Sequence, residues 1–407
     1  MIHVCYGLYD GNGRYSKFTG TSILSIFENT RAEVTVHLLH DNTLTVDNRD
    51  KFSYLAGQYN QLIKFYNVEK ICADEIAALN RIISDFSKKN YSIGSLFRLL
   101  ITKIFPEDIT KLIYLDSDII VNLDIRELWQ IPLKNKTIAA IPESENGSSV
   151  TANLSLCKDG LVNADDYFNS GVIVINLERL RGVDFQTFQN GIKFIVENPK
   201  YIWFDQDLLN YCFSKNMVRL PSKFNFFVRE SIWRNEFKTE NRILHYLSGS
   251  LNLNLRNPFN RLWFKYFKKT LWFNEEVISH LNEELVKMNA ALKNMALQTS
   301  MLMAGKSRAF FTDKRNLELL KKAFRVQEDE EIIPAVNMES VAALKESMKA
   351  SAGSKLYFIL IGNDYRFLRA DLMNDGFAEG RDFVNAVQFL SAIHGAPYDT
   401  HDFVKAL

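Results

Sequence analysis

Short apolar runs with the two-residue period of strands alternate with stretches of helical period along the first two thirds of the chain. Ile2 to Gly7 is a β-type run that stops at a Gly/Asp/Asn-rich loop, and Thr21 to Phe27 then carries the i, i+3, i+4 apolar spacing of a helix. The unit is strand, loop, helix. VTVHLL (Val34 to Leu39), IKFYNV (Ile63 to Val68), TIAAIP (Thr137 to Pro142) and GVIVINL (Gly171 to Leu177) predict further strands. LIYLDSDIIV, Leu112 to Val121, predicts one strand whose apolar run is broken in its middle by two carboxylates. Such alternation predicts an α/β fold with a mostly parallel sheet, helices on both faces, and ligands at the carboxyl ends of the strands.

From about Asn274 to Met303 the pattern changes to a long amphipathic helix, with Ile278, Leu281, Leu285, Met288 and Leu292 at helical spacing. Beyond it RAFFT (Arg308 to Thr312), IIPAV (Ile332 to Val336) and KLYFILIG (Lys355 to Gly362) predict three strands separated by helices. With 407 residues the chain exceeds what one core usually holds. The expected division is a main domain over 1–273, a helical linker over 274–305 and a small Rossmann-like domain over 306–407. The first strand of that small domain runs into DKRNLELL, where a dinucleotide-binding turn needs G-x-G-x-x-G, so a scaffold or interaction role is expected for it.

Composition narrows the classes. Apolar residues make up 47%, charged residues 24% and the net charge is +1, so no global charge excess points to nucleic acid. MIHVCYGLYDG lacks the features of a signal peptide, and no run of about 18 apolar residues offers a membrane span. Cys5, Cys72, Cys157 and Cys212 are scattered, which suits a reducing compartment and argues against a zinc cluster. A cytoplasmic protein is expected.

The chemistry concentrates at Asp116-Ser117-Asp118. Two carboxylates at i and i+2 in an apolar strand need a cation or strong hydrogen bonds if they are buried. Oxygen ligands of this kind suit Mg²⁺ or Mn²⁺, which could also bridge a diphosphate; two solvated aspartates at a strand end are the plain alternative.

Several further motifs accompany this one: IHVCYGLYD at the opening, FRLL (Phe97 to Leu100), YLDSD (Tyr114 to Asp118), YFNSGVIVINL (Tyr167 to Leu177), FDQDLLN (Phe204 to Asn210) and LHYLSG (Leu244 to Gly249). In this order the chain, from about Met1 to Phe273, resembles the retaining glycosyltransferases of family 8, the group containing bacterial lipopolysaccharide galactosyl- and glucosyltransferases and the glycogenins. The resemblance implies a GT-A fold over the main domain, a UDP-sugar donor, and Mn²⁺, with Mg²⁺ as the alternative ion, held by Asp116, Asp118 and His245. Ser117 and Gly249 belong to the same donor-binding motifs. A histidine in an apolar stretch is otherwise a hydrogen-bonded structural residue, but neutral imidazole also ligates Mn²⁺-like ions.

The opening loop is expected to hold the nucleotide. Gly7 lets a ligand approach the backbone, Asp10 can accept hydrogen bonds from base or ribose, and Tyr15 offers a face for stacking, although the spacing departs from the family's A-x-D-x-x-Y and an ordinary turn is the alternative. Arg98 resembles the family arginine near the donor, where its fork could hold phosphate or sugar hydroxyls; a surface salt bridge is the alternative. Asn169, Asp205 and Gln206 resemble the family's residues around the transferred sugar. Glutamine is a poor nucleophile, so the expected route is attack on the same face as the departing diphosphate, with Gln206 stabilising positive charge at the sugar, Asp205 binding its hydroxyls, and Asp207 pairing with a neighbouring helix.

The family's Lys-Pro-Trp after HxxG is missing: HYLSGSLNLNLRNPFNRLW has no lysine until Lys265, and Arg256 is the expected substitute. RLWFKYFKKTLWF (Arg261 to Phe273) interleaves aromatics with cations, which suits either peripheral contact with an anionic membrane at the inner face or a cap on the catalytic core. The expected activity is transfer of glucose or galactose from a UDP-sugar to a glycan, lipid-linked or protein acceptor, and a homo-oligomer is compatible with it. The competing classes are a non-catalytic sugar-nucleotide-binding or assembly protein and a sugar-phosphate nucleotidyltransferase, whose Gly-rich basic loop YGLYDGNGRY matches poorly.

Overall fold

The computed structural model describes residues 1–386 apart from 12, 14, 83–92, 147–153, 199, 202, 234–235, 248–250, 252–254, 284–285, 288–300, 302, 315, 337 and 362–364. Two compact units emerge, Met1–Ile278 and a second within Ser279–Thr400.

In the first unit β1 (Ile2–Leu8), β2 (Val34–His40), β3 (Leu62–Asn67), β4 (Lys111–Leu115), β5 (Ile119–Asn122), β6 (Ile138–Ala140), β7 (Val172–Asn176), β8 (Met217–Arg219), β9 (Phe226–Phe227) and β10 (Arg242–His245) form two sheets. The larger has the order β3-β2-β1-β4-β7-β6-β8; β7 runs antiparallel to both its neighbours and the other pairs are parallel. The β1 and β2 stretches are buried on both faces, which explains their near-continuous apolar runs. The smaller sheet has the order β5-β10-β9.

One sequence expectation is corrected here. LIYLDSDIIV is not a single strand: β4 ends at Leu115, Asp116-Ser117-Asp118 turns, and β5 joins the other sheet. Burying two carboxylates inside one ladder would leave them without solvation, so the chain leaves the first sheet where the acids begin.

The helix predicted at Thr21 to Phe27 extends over Tyr15–Asn29 (α1). Its length comes from small residues that the apolar spacing does not count. Thr19, Gly20, Thr21, Ser22 and Ser25 are buried, and their polar atoms find partners: Tyr6 Oη meets Ser22 Oγ at 2.8 Å, and Ser25 Oγ accepts from Val121 N at 2.9 Å. The Asn29 amide donates to Val121 O and to Tyr266 Oη, tying α1 to β5 and to the helix Pro258–Phe267. In that helix Phe259, Trp263, Tyr266 and Phe267 are buried while Arg261 and Lys265 are exposed. The aromatics of the Arg261 to Phe273 stretch therefore cap the core, and the cations point outward.

The second unit holds a parallel sheet of β12 (Glu331–Pro334), β11 (Ser307–Thr312), β13 (Lys355–Leu360) and β14 (Phe383–Asn385), in that order, one strand more than its sequence predicts. Its core forms on both faces, around Phe311 and Ile359 on one and Phe310 and Phe358 on the other. The amphipathic stretch after Asn274 is helical at 275–283, and much of the remainder lies outside the described residues.

Trp272 lies against α1 so closely that a Cβ on Gly20 would stand 2.1 Å from the indole. Gly20→Ala is expected to destabilise the protein by about 1–3 kcal/mol through overpacking, lowering the urea midpoint with little change in the slope of the transition.

Candidate active site

The Asp116-Ser117-Asp118 turn is stitched at both ends. Asp116 N donates to Gly171 O, on the main-sheet side, and Tyr246 N donates to Asp118 O, on the minor-sheet side, both at 2.9 Å. His245 closes β10 directly opposite Ile119, the first residue of β5. This pairing brings ligand atoms of Asp116, Asp118 and His245 within 4.8 Å of one another. Ser117 turns to α1, where its hydroxyl meets Thr19 Oγ1 at 2.8 Å.

His245 is held on three sides. Asn225 Oδ1 lies 2.9 Å from Nδ1, Phe227 stands edge-on at 6.0 Å, and a Cβ on Gly171 would come within 2.3 Å of Cε1. On the remaining side Nε2 lies 3.2 Å from Asp118 Oδ1. Imidazole nitrogen and carboxylate oxygen at that distance share either a proton or a cation between them. Two carboxylates and one imidazole that converge in this way fit a borderline-hard divalent ion with room for further oxygen ligands.

Arg98 is held inside the protein. Its Nη2 lies 2.8 Å from Asp116 Oδ1 and 3.4 Å from Asp205 Oδ2, Nη1 donates to Ser170 O, Nε donates to Ser95 O, and the guanidinium carbon sits 4.1 Å over the Tyr114 ring. The group is buried, so it is not a surface salt bridge. It holds two active-site carboxylates in place. Burial pushes both Asp116 and Asp205 above the usual carboxylate range, and the Arg98 charge opposes that rise.

The opening loop packs closely against the rest of the protein. A Cβ on Gly7 would fall 2.6 Å from Gly94 O and 2.9 Å from Tyr114 Oη, so the protein itself fills the space that the glycine leaves. The buried Asp10 carboxylate accepts from Ser16 N and Ser16 Oγ at the start of α1 and from Asn48 Nδ2. Its oxygens close the loop and cap the helix. Tyr15 keeps about half of its surface open, 47%, and its phenol is pushed up by desolvation first and then by the charges of Asp118 and Asp116. Of the remaining candidates, Arg256 is exposed on the turn before the helix Pro258–Phe267, and Gly249 lies outside the described residues.

Asp205 and Gln206 occupy the first turn of the helix Phe204–Phe213. Asn210, one turn on, pairs its side-chain amide with both N and O of Phe168 at 2.8 Å, which fixes the Tyr167 to Ser170 loop against the helix. Gln206 Oε1 accepts from Asn169 Nδ2 at 2.9 Å and Ser170 N at 3.2 Å, and its Nε2 donates to Glu143 Oε1 at 2.9 Å. The structure thus gathers Asn169, Asp205 and Gln206 with Arg98 and the Asp116 turn. Glu143, Gly171 and Asn225 were missed by sequence reasoning. Glu143 carried a usable signal, since it follows a strand end as Asp116 does; Gly171 and Asn225 carried none.

Asp207 serves its own helix and not a neighbouring one: Oδ2 accepts from Trp203 N at 3.0 Å and Oδ1 accepts from Tyr167 Oη at 2.7 Å. Burial lifts its carboxyl from 3.8 to about 6. Between those values the folded chain keeps a proton that the unfolded chain has lost, so stability falls as pH rises through this window, and the penalty is complete above about 6. At about 1.4 kcal/mol per unit this residue accounts for a loss on the order of 3 kcal/mol. Urea midpoints at pH 4, 5, 6 and 7 are expected to decline more steeply in the wild type than in Asp207→Asn.

The profile of glycosyl transferase family 8 matches residues 8–250, more than half of the chain. The chain is 28% identical over 262 residues to the lipopolysaccharide 1,3-galactosyltransferase of Salmonella typhimurium, covering 60% of this chain and 71% of that protein. It is 26% identical over 230 residues to the lipopolysaccharide 1,2-glucosyltransferase of Escherichia coli, covering 55% of this chain and 62% of the relative, so it spans less than two thirds of the latter. The solved structure of the galactosyltransferase LgtC in complex with donor and acceptor sugar analogs has the same fold, with a TM-score of 0.54 at 19% identity over 68% of this chain and 99% of that one. The chain, with its GT-A sheet and its acidic turn, belongs to glycosyltransferase family 8.

Proposed function

We propose that the protein is a metal-dependent, retaining hexosyltransferase that moves glucose or galactose from a UDP-sugar to a glycan, glycolipid or glycoprotein acceptor. The observation that carries this reading is the convergence of Asp116, Asp118 and His245 within 4.8 Å, with Arg98 joining Asp116 to the Asp205 and Gln206 turn. The relatives named for lipopolysaccharide galactosyl and glucosyl transfer support a hexose donor.

Asp116, Asp118 and His245 would hold Mn²⁺, or Mg²⁺, which would neutralise the charge of the departing diphosphate. The remaining chemistry falls to the sugar side of the cleft. The acceptor hydroxyl oxygen forms a bond to the anomeric carbon as the bond from that carbon to the β-phosphate oxygen breaks, and the hydroxyl proton passes to the leaving phosphate. Same-face attack of this kind needs no protein nucleophile. Gln206, whose carbonyl already accepts two hydrogen bonds, is suited to orienting the sugar and stabilising charge at its reacting carbon, and Asp205 to binding a sugar hydroxyl. Tyr15, with its ring half open near the acidic turn, is the nucleotide-facing aromatic of this reading.

Among the described residues no helix is long and apolar enough to cross a membrane. Peripheral contact with an anionic inner membrane surface would rest on the exposed Arg261, Lys265 and Lys268, since Trp263, Tyr266, Phe267 and Trp272 are buried. The second unit, with its own core, is suited to acceptor capture or assembly.

The deciding experiment is UDP release from UDP-glucose and UDP-galactose, with Mn²⁺ or with a chelator. Turnover of one donor that needs Mn²⁺ and is lost in Asp118→Asn is expected; a folded protein that neither binds UDP nor turns over any donor would sink the proposal. Gln206→Ala is expected to lower kcat by about 100-fold while leaving UDP affinity nearly unchanged. Gly171→Ala, which drives a methyl group into the His245 ring, is expected to weaken Mn²⁺ binding measured by titration in the presence of UDP, without loss of helix content by circular dichroism.

A further inference from the structure

A continuous series of side-chain amides runs from the sugar side of the cleft to His245. Gln206 Oε1 accepts from Asn169 Nδ2 at 2.9 Å, Asn169 Oδ1 accepts from Asn225 Nδ2 at 2.8 Å, and Asn225 Oδ1 lies 2.9 Å from His245 Nδ1. An amide series can in principle be written in either direction by turning every group over. Two backbone donors forbid the reversal here.

Ser170 N points at Gln206 Oε1 at 3.2 Å, and Gly171 N points at Asn169 Oδ1 at 3.0 Å. A backbone N–H only donates, so both of these side-chain atoms must be oxygens. The carboxylate of Glu143 accepts from the other end of Gln206 and agrees with the same direction. The group that Asn225 turns toward Asn169 must then be its NH₂, and the group it turns toward His245 must be its oxygen. An oxygen acceptor at 2.9 Å requires a proton on Nδ1, so in the neutral ring the lone pair sits on Nε2, the nitrogen that faces Asp118. Asn225 is fully buried, so water does not compete for either end of its amide.

We propose that Asn225 is a positioning residue that fixes His245 in its Nδ1-protonated tautomer and thereby couples the order of the Asn169 and Gln206 pair to the metal-binding strength of the Asp116, Asp118 and His245 set. The coupling to metal rests on the function proposed above, whereas the tautomer does not. Asn225 touches no reacting atom. It acts through its two neighbours.

The test uses the full-length protein labelled with ¹⁵N at histidine and free of metal, with the His245 signals assigned by their loss in His245→Gln. At alkaline pH, where the ring is neutral, the wild type is expected to show the Nδ1-protonated form; a predominant Nε2-protonated form there would overturn the proposal with no variant needed. Asn225→Leu, close in size but unable to accept, is expected to lose the tautomer preference, and Asn225→Asp, which keeps an acceptor beside Nδ1, to retain it. In Mn²⁺ titrations with UDP, followed by the paramagnetic resonance of free Mn²⁺, the Leu variant is expected to bind about 10- to 100-fold more weakly than the wild type. Wild-type tautomer and wild-type Mn²⁺ affinity in a folded Leu variant would overturn the proposal. A wild type that takes up no Mn²⁺ would overturn the metal assignment and with it the coupling, and the tautomer measurement would then judge the positioning role by itself.

Discussion

Three carboxylates drawn toward one cleft repel each other, and each loses hydration as the walls close around it. Asp116, Asp118 and Asp205 face this constraint at the carboxyl end of β4, and most of the surrounding architecture answers it. Arg98 supplies one fixed positive charge between Asp116 and Asp205, and it is itself kept in place by two backbone carbonyls and the face of Tyr114. A buried guanidinium can balance only part of that charge. The remainder falls on the side of Asp118 and His245, where a divalent ion has the chemistry to complete the balance.

Much of the fold was legible because its signals are local. Strands of period two and helices of period 3.6 leave their pattern in adjacent residues, and every strand predicted in the first unit exists, with the single exception that LIYLDSDIIV proved to be two. That exception has a physical reason, since the same carboxylates that flagged the site also end the ladder. The length of α1 was hidden for a different reason: Thr19, Ser22 and Ser25 read as polar positions, yet they are buried with their hydroxyls satisfied by the helix itself or by neighbouring strands and turns.

The site was legible where a residue type is unusual in its surroundings, and obscure where its meaning depends on partners far away in the chain. Asp116, Asp118 and His245 stand out among apolar neighbours. Arg98 also stands out, but its partners Asp205 and Ser170 are distant in sequence, so its place between two carboxylates was not legible. Asp10 draws one of its partners, Asn48, from far along the chain, and the other, Ser16, from the start of α1. Asn225 and Gly171 had no local signature at all: one amide and one missing side chain acquire significance only when β7, β9 and β10 come together around the imidazole.

The pairing of β5 with β10 carries a last consequence. His245 lies opposite Ile119, next to Asp118, in a ladder of only four residue pairs. Side chains alternate between the faces of a strand, so a slip of one position would turn the imidazole away from the acids. An ion shared by Asp118 and His245 would be bound only by the correctly aligned ladder, and its binding energy would count toward that alignment alone. Such an ion would proofread the register of the sheet that builds its site, and a short ladder with little cohesion of its own is the one best served by such a check.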